Sequence, residues 1–313
     1  MAQKFTVELK RQHEWGWLLS LWLFLSGAAS ALFLLYEMFS LPALFAQLAL
    51  GIIVAGGIVL LLELGSPKRA WRGVSKLGTS WLSRGALSVG LFVVCAFLFL
   101  APAFPAFAWL PWGAASGFAK VLEWVAGLCA LVIVFYPGIF LSQNRSIPFW
   151  NTPWLVAVMV VNAWLLASAV VLLGASALKD GSRVIDLLPW AIVAAAVLSA
   201  IYLAAMNSAG GAARESVRLL TRGPVALAFW IGAVAVGMLV PLALLWAKSG
   251  AGLAAVCLLA GGFLFRYCVL SVGVFVPSTV VQEGLDFSKL NRTSTALLAQ
   301  EYAGMASNAA RRG

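Results

Sequence analysis

The sequence has little of what most redox and hydrolytic sites are built from. Among 313 residues there is one histidine, His13, and there are only 11 acidic residues. Haem in a helix bundle is held by axial ligands, most often histidine. A single histidine ahead of the first apolar run excludes a bis-histidine cytochrome and gives no support to one haem. The four cysteines (Cys95, Cys129, Cys257, Cys268) all fall inside apolar runs and none forms a C-x-x-C pair. Neither a disulfide framework nor a zinc or iron–sulfur site of its own is indicated. A phosphate-binding G-x-x-x-x-G-K-[ST] loop and a strand-borne dinucleotide fingerprint are both missing. Any electrons this chain handles must therefore come from another subunit.

Apolar residues are abundant. Hydrophobic residues make up 63% of the chain and charged residues 10%, against roughly 45–50% and about 25% in soluble domains. A water-soluble fold of this length has too little interior to hide so much apolar surface. A spanning helix needs about 20 mostly apolar residues, and eight segments meet that requirement. They run over Trp15–Phe39, Pro42–Leu64, Arg84–Phe104, Phe118–Leu141, Pro153–Ala175, Asp186–Asn207, Gly223–Ala247 and Gly250–Phe275. The runs are continuous rather than alternating, which favours helices over barrel strands. The organisation expected is a membrane domain over 1–275 and a polar tail over 276–313, with Ser288–Ala310 as a surface helix. The mixed-charge start and the length of the first run predict a retained helix rather than a cleaved leader.

The basic residues, 21 in all, are distributed by side. With eight spans, 16 of them share the face carrying the N-terminus and four (Lys120, Lys179, Arg183, Lys248) lie opposite. Arg266 sits within the last span. By the positive-inside rule this predicts cytoplasmic termini. Ionisable groups inside spans are costly and become candidates by default. Glu63 ends span two, Glu123 lies early in span four, and Arg266 lies deep in span eight. Interfacial helix ends are the alternative reading of the two glutamates, and an inter-helix ion pair that of Arg266. Glu37, near the far end of span one, reads as a residue snorkelling to the interface.

Two loops on the basic face stand out. The first, Leu62-Glu63-Leu64-Gly65-Ser66-Pro67-Lys68-Arg69-Ala70-Trp71-Arg72, continues through Lys76 to Trp81 and Ser83-Arg84-Gly85. It reads either as a tryptophan-anchored positive loop or as a docking surface for an acidic partner. The second follows Tyr136-Pro137-Gly138 and contains Arg145-Ser146-Ile147-Pro148-Phe149-Trp150-Asn151. Pro137 is expected to kink the end of span four, with Tyr136 as a phenolic donor there.

On these residues the chain resembles the NrfD/PsrC and DmsC-type membrane anchors of molybdopterin oxidoreductase complexes. The run Leu64-Gly65-Ser66-Pro67-x-Arg69-Ala70, then Gly78-x-Ser80-x-Leu82-Ser83, is similar to the DMSO reductase anchor, as is His13-Glu14-Trp15. Ser83-Arg84-Gly85-Ala86, Tyr136-Pro137-Gly138 and Ile147-Pro148-Phe149-Trp150-Asn151 are similar to polysulfide reductase anchors. The resemblance implies an all-α fold of eight transmembrane helices, arranged as two four-helix bundles. It also implies a haem-free subunit of an oxidoreductase, not catalytic alone, that reacts with ubiquinone or menaquinone. A four-cluster iron–sulfur subunit would dock on it, with a molybdopterin catalytic subunit beyond. The resemblance makes Tyr136 a quinone contact, with Trp22 and Arg84 beside it. His13 and Glu63 are the proton-transfer candidates, and Lys68, Arg69, Arg72, Lys76 and Arg145 the docking residues.

The chain also departs from those patterns. Leu19 and Trp22 stand where polysulfide reductase anchors carry Asn and His. Glu63 stands where the DMSO reductase anchor has a histidine, and Gly85 where it has a glutamate. The location expected is the bacterial inner membrane with partners on the cytoplasmic face. A proton-translocating or transport module, or a purely structural anchor, are the competing readings.

Overall fold

Without water to bond to, every backbone amide in the hydrocarbon must be satisfied within its own segment, so apolar runs of this length become helices. The computed structural model describes residues 10–13, 15–63, 80–107, 109–113, 115–178 and 183–276, Glu63 by its backbone alone. Its helices are α1 (Trp17–Phe39), α2 (Ala43–Glu63), α3 (Trp81–Leu100), α4 (Gly117–Ser142), α5 (Pro153–Leu173), α6 (Arg183–Ala209) and α7 (Gly211–Arg222). A π-helix, Ala228–Leu239, then leads directly into α8 (Val240–Trp246), and α9 (Ala251–Ser271) follows. Eight helical stretches are long and apolar enough to cross a membrane, as the sequence predicts. Apart from the first residue of the proposed tail, 277–313 lie outside the described residues.

Several starts are written locally. Ser80 accepts a hydrogen bond from the Ser83 amide, Ser116 from that of Ala119, and Thr152 from that of Trp154, each meeting an amide that the first turn leaves free. Pro153 follows Thr152 at the first helical position, where its missing N–H costs nothing.

α1 is the centre of the assembly. Its span is 72% buried, against 22% for the span built on α3. It packs on α2 and α4 in its own half and on α5 and α9 in the other. The main core accordingly runs without interruption from Trp22 and Phe33 through Phe149 to Phe265. A second, smaller core, from Leu165 and Leu188 to Met238 and Leu258, lies between α5, α6, the seventh span and α9.

α4 carries Pro137 inside it and ends at Ser142, one residue past the expected boundary. Three local expectations change. The eighth span ends at Ser271, not Phe275, because the residues after it bond to the N-terminal segment. Within the loop expected over Ser208–Arg222 lies α7, burying Ala212, Ala213, Val217 and Leu220 and exposing Arg214 and Arg218. Span seven is wound as a π-helix over most of its length, a form otherwise found mostly as single turns. There Gly237 lies directly against Gly261 of α9, and a Cβ on either would overlap the other's backbone.

Candidate functional site

The last turn of any helix leaves carbonyls without partners. At the end of α9 three such carbonyls are met by side chains from distant parts of the chain. The Arg11 Nε donates to Ser271 O at 2.6 Å, the Gln12 Nε2 to Leu270 O at 2.7 Å, and the Trp150 Nε1 to Val269 O at 3.0 Å. Backbone bonds complete the clasp: Gln12 N to Gly273 O at 2.8 Å, Phe275 N to Lys10 O at 2.9 Å, and Val276 N to Ser146 O at 2.8 Å. Three segments, 10–12, 144–152 and 270–276, are thereby sewn together on the N-terminal face. Tyr202, fully buried on α6, donates to Phe149 O at 2.7 Å and holds the middle segment down.

Under this clasp lies a column of aromatic rings. Trp150 and Trp15 are stacked with centroids 5.1 Å apart and planes within 2°. Trp15 stacks on Phe140 at 5.6 Å, and Phe140 on Tyr136 at 5.6 Å. Tyr136 and Phe140 are one turn apart on α4, which aligns their side chains. The Tyr136 ring then rests on Gly85 of α3, occupying the space a Cβ would take. Tyr136 is 7% exposed, and its hydroxyl makes no hydrogen bond among the described residues. The residue before Gly85, Arg84, is exposed, with its guanidinium 4.8 Å from the centroid of the Trp81 ring.

The expected site residues do not all come together. Tyr136 packs on Gly85, the sequence neighbour of Arg84. His13 is exposed and lies two residues before Trp15, so it borders the column without entering it. Trp22 is elsewhere: it is buried between α1 and α2, its ring close to where a Cβ on Gly56 would sit. Glu63 closes α2, and its side chain, with Lys68, Arg69, Arg72 and Lys76, lies outside the described residues. Arg145 is exposed in the loop after α4.

The remaining two candidates are separate from this face. Glu123 accepts a hydrogen bond from the Tyr36 hydroxyl at 3.2 Å and pairs with Lys120 at 3.5 Å, at the opposite end of the bundle. Arg266 is 1% exposed and makes no ion pair among the described residues, so the expected inter-helix pair is not found. Its Nη1 donates to Gly262 O at 3.2 Å on its own helix, and its Nε has no partner among the described residues. Sequence reasoning missed Gln12 and Phe140, whose roles depend on contacts across the fold. The i, i+4 spacing of Tyr136 and Phe140 was the available signal for the second.

A family model, described as "Polysulphide reductase, NrfD", matches residues 6–277. The chain belongs to the NrfD family. Among curated proteins none matches. Family membership makes this chain a membrane subunit of a redox complex, and NrfD-family proteins partner with redox subunits. The match covers all eight spans, the clasp and the aromatic column. The column is thus part of the NrfD-like body of the protein and not an appendage to it.

Proposed function

We propose that this NrfD-family chain exchanges electrons between an iron–sulfur partner and membrane quinone at the N-terminal face, without haem of its own. The observation that carries this reading is the seat of Tyr136: a phenol without a hydrogen-bond partner among the described residues, packed on Gly85, which follows Arg84 in sequence, and continued by stacked rings. A quinone head group is a planar ring with two carbonyl acceptors, and these groups suit it. Tyr136 and Arg84 would hold a carbonyl oxygen, and Phe140 and Trp15 would offer parallel faces. The quinone supplies the two-electron, two-proton chemistry when bound. His13 and Glu63, at the ends of segments on the same face, would carry the protons that quinone turnover takes up or gives off.

By the count of spans, 16 of the 21 basic residues are expected on that same face. We assign it to the cytoplasm and to docking of a four-cluster iron–sulfur subunit, through Arg145 and the Lys68–Lys76 loop, with a molybdopterin subunit beyond. A cysteine placed at position 145 should react with membrane-impermeant maleimide only in inside-out vesicles. Labelling from the periplasm would overturn the assignment.

The quinone reading is tested in the purified complex. Tyr136→Phe should raise the KM for quinone about tenfold, as expected for one lost hydrogen bond, with donor-side dye reduction unchanged. Glu63→Gln and His13→Ala should slow quinone turnover and change its pH profile. Full turnover with unchanged quinone KM in Tyr136→Phe would overturn the site. Unaltered turnover in both proton-transfer variants would remove their roles.

A further inference from the structure

The far end of the bundle carries a built recess that the quinone reading does not use. Between the end of α1, the end of α3 and the start of α4 lies a cavity of about 450 Å³, lined by Tyr36, Phe99, Leu100, Ser116, Lys120 and Glu123 among others. A second cavity of about 230 Å³ adjoins it, lined by Glu37, Met38, Lys120, Glu123 and Trp124. Lys120 and Glu123 are common to both. Both oxygens of Glu123 are engaged, one by the Tyr36 hydroxyl and one by the Lys120 ammonium. Glu37 is different. Its carboxylate lies over Gly127, one turn along α4 from Glu123, with no hydrogen bond or ion pair among the described residues. Two carboxylates thus line one recess with a single lysine, which pairs with Glu123, leaving room for a second cation.

The position of the recess narrows what that cation is. Glu37 lies in the last turn of α1 and Lys120 in the first turn of α4, so the recess is level with one membrane surface. Its outer edge is apolar and open to lipid: Met38 is 66% exposed and Trp124 65%. Lys120 is largely exposed beside the N-terminus of α4, where helix amides and an ammonium together favour a phosphate. A carboxylate without a partner and a phosphate-favouring corner therefore share one recess at headgroup depth, with an apolar exit.

We propose that this recess binds the headgroup of a primary-amine phospholipid, the ammonium on Glu37 and the phosphate by Lys120. A primary ammonium donates N–H bonds to Glu37, which a quaternary ammonium lacks. The free soluble headgroup, phosphoethanolamine, carries the same two charges without acyl chains.

The test is native mass spectrometry of the delipidated full-length chain with phosphatidylethanolamine or phosphatidylcholine of matched acyl chains. The wild type should retain phosphatidylethanolamine about tenfold better, the worth of one hydrogen bond to a charged group. Glu37→Gln should abolish that preference, and Lys120→Ala should weaken retention of both lipids. Thermal unfolding in detergent checks that each variant is folded, and Glu37→Asp is the conservative control that should keep part of the preference. Equal retention of the two lipids by the wild type, or an unchanged preference in folded Glu37→Gln, overturns the proposal. Displacement of the lipid by millimolar phosphoethanolamine would show a site for the soluble compound and also overturn it.

Discussion

At the N-terminal face the last-turn carbonyls of α9 are met by Arg11, Gln12 and Trp150, and stacked rings fill the space beneath. At the far face polar groups line open cavities, and Glu37 has no partner among the described residues. Both faces meet the same boundary between lipid and water. One closes on itself by bonds between segments more than 100 residues apart; the other stays open to whatever the bilayer offers. The difference teaches where rigidity is placed. The face to which we assign quinone exchange would need fixed distances for electron transfer, and it is the sewn one.

That contrast can be broken or sharpened by substitution. The largest effect should come from Trp150→Ala, which removes a side chain 1% exposed together with its bond to Val269 O and its stack on Trp15. A loss of about 3–5 kcal/mol is expected, read by chemical or thermal unfolding in detergent. Next is Gly85→Leu, whose side chain would occupy the place of the Tyr136 ring. Overpacking should cost about 1–3 kcal/mol, and quinone-linked turnover should be lost with it. Tyr202→Phe deletes one buried hydrogen bond to Phe149 O and should cost about 1 kcal/mol. Smallest is Lys120→Ala in lipid-free detergent, within about 0.5 kcal/mol, because its pair with Glu123 is largely exposed on the lysine side. A Lys120→Ala loss larger than that of Tyr202→Phe would invert the comparison.

How much of this was legible in the sequence depended on the range of the interaction. The spans were legible because a bilayer demands about 20 apolar residues from each segment by itself, and the expected and observed boundaries differ by only a few residues in most of them. The clasp was not, since nothing in Arg11 or Gln12 announces that Ser271 and Leu270 will be their partners. The column was half legible: Tyr136 and Phe140 share a helix face, but Trp15 and Trp150 join them only through tertiary packing. The resemblance pointed to Gly85 as a departure from a glutamate, and the structure supplies a reason: the Tyr136 ring fills that place. Glu37 read as a snorkelling side chain because its neighbour across the seam, Glu123, is 86 residues away. The π-winding of span seven left no mark in the apolar pattern, which is the same in composition for either winding.

The bonds from Arg11 and Gln12 to Ser271, Leu270 and Gly273 also set an order of events during synthesis. A ribosome delivers residues 10–12 more than 250 positions before their partners, so the N-terminal segment must wait, unsewn, while all eight spans are inserted. The N-terminal face is therefore finished last. A chain arrested before Val269 would leave Arg11, Gln12 and Trp150 without the carbonyls they bond to, so the clasp on this face closes only after the eighth span has been made.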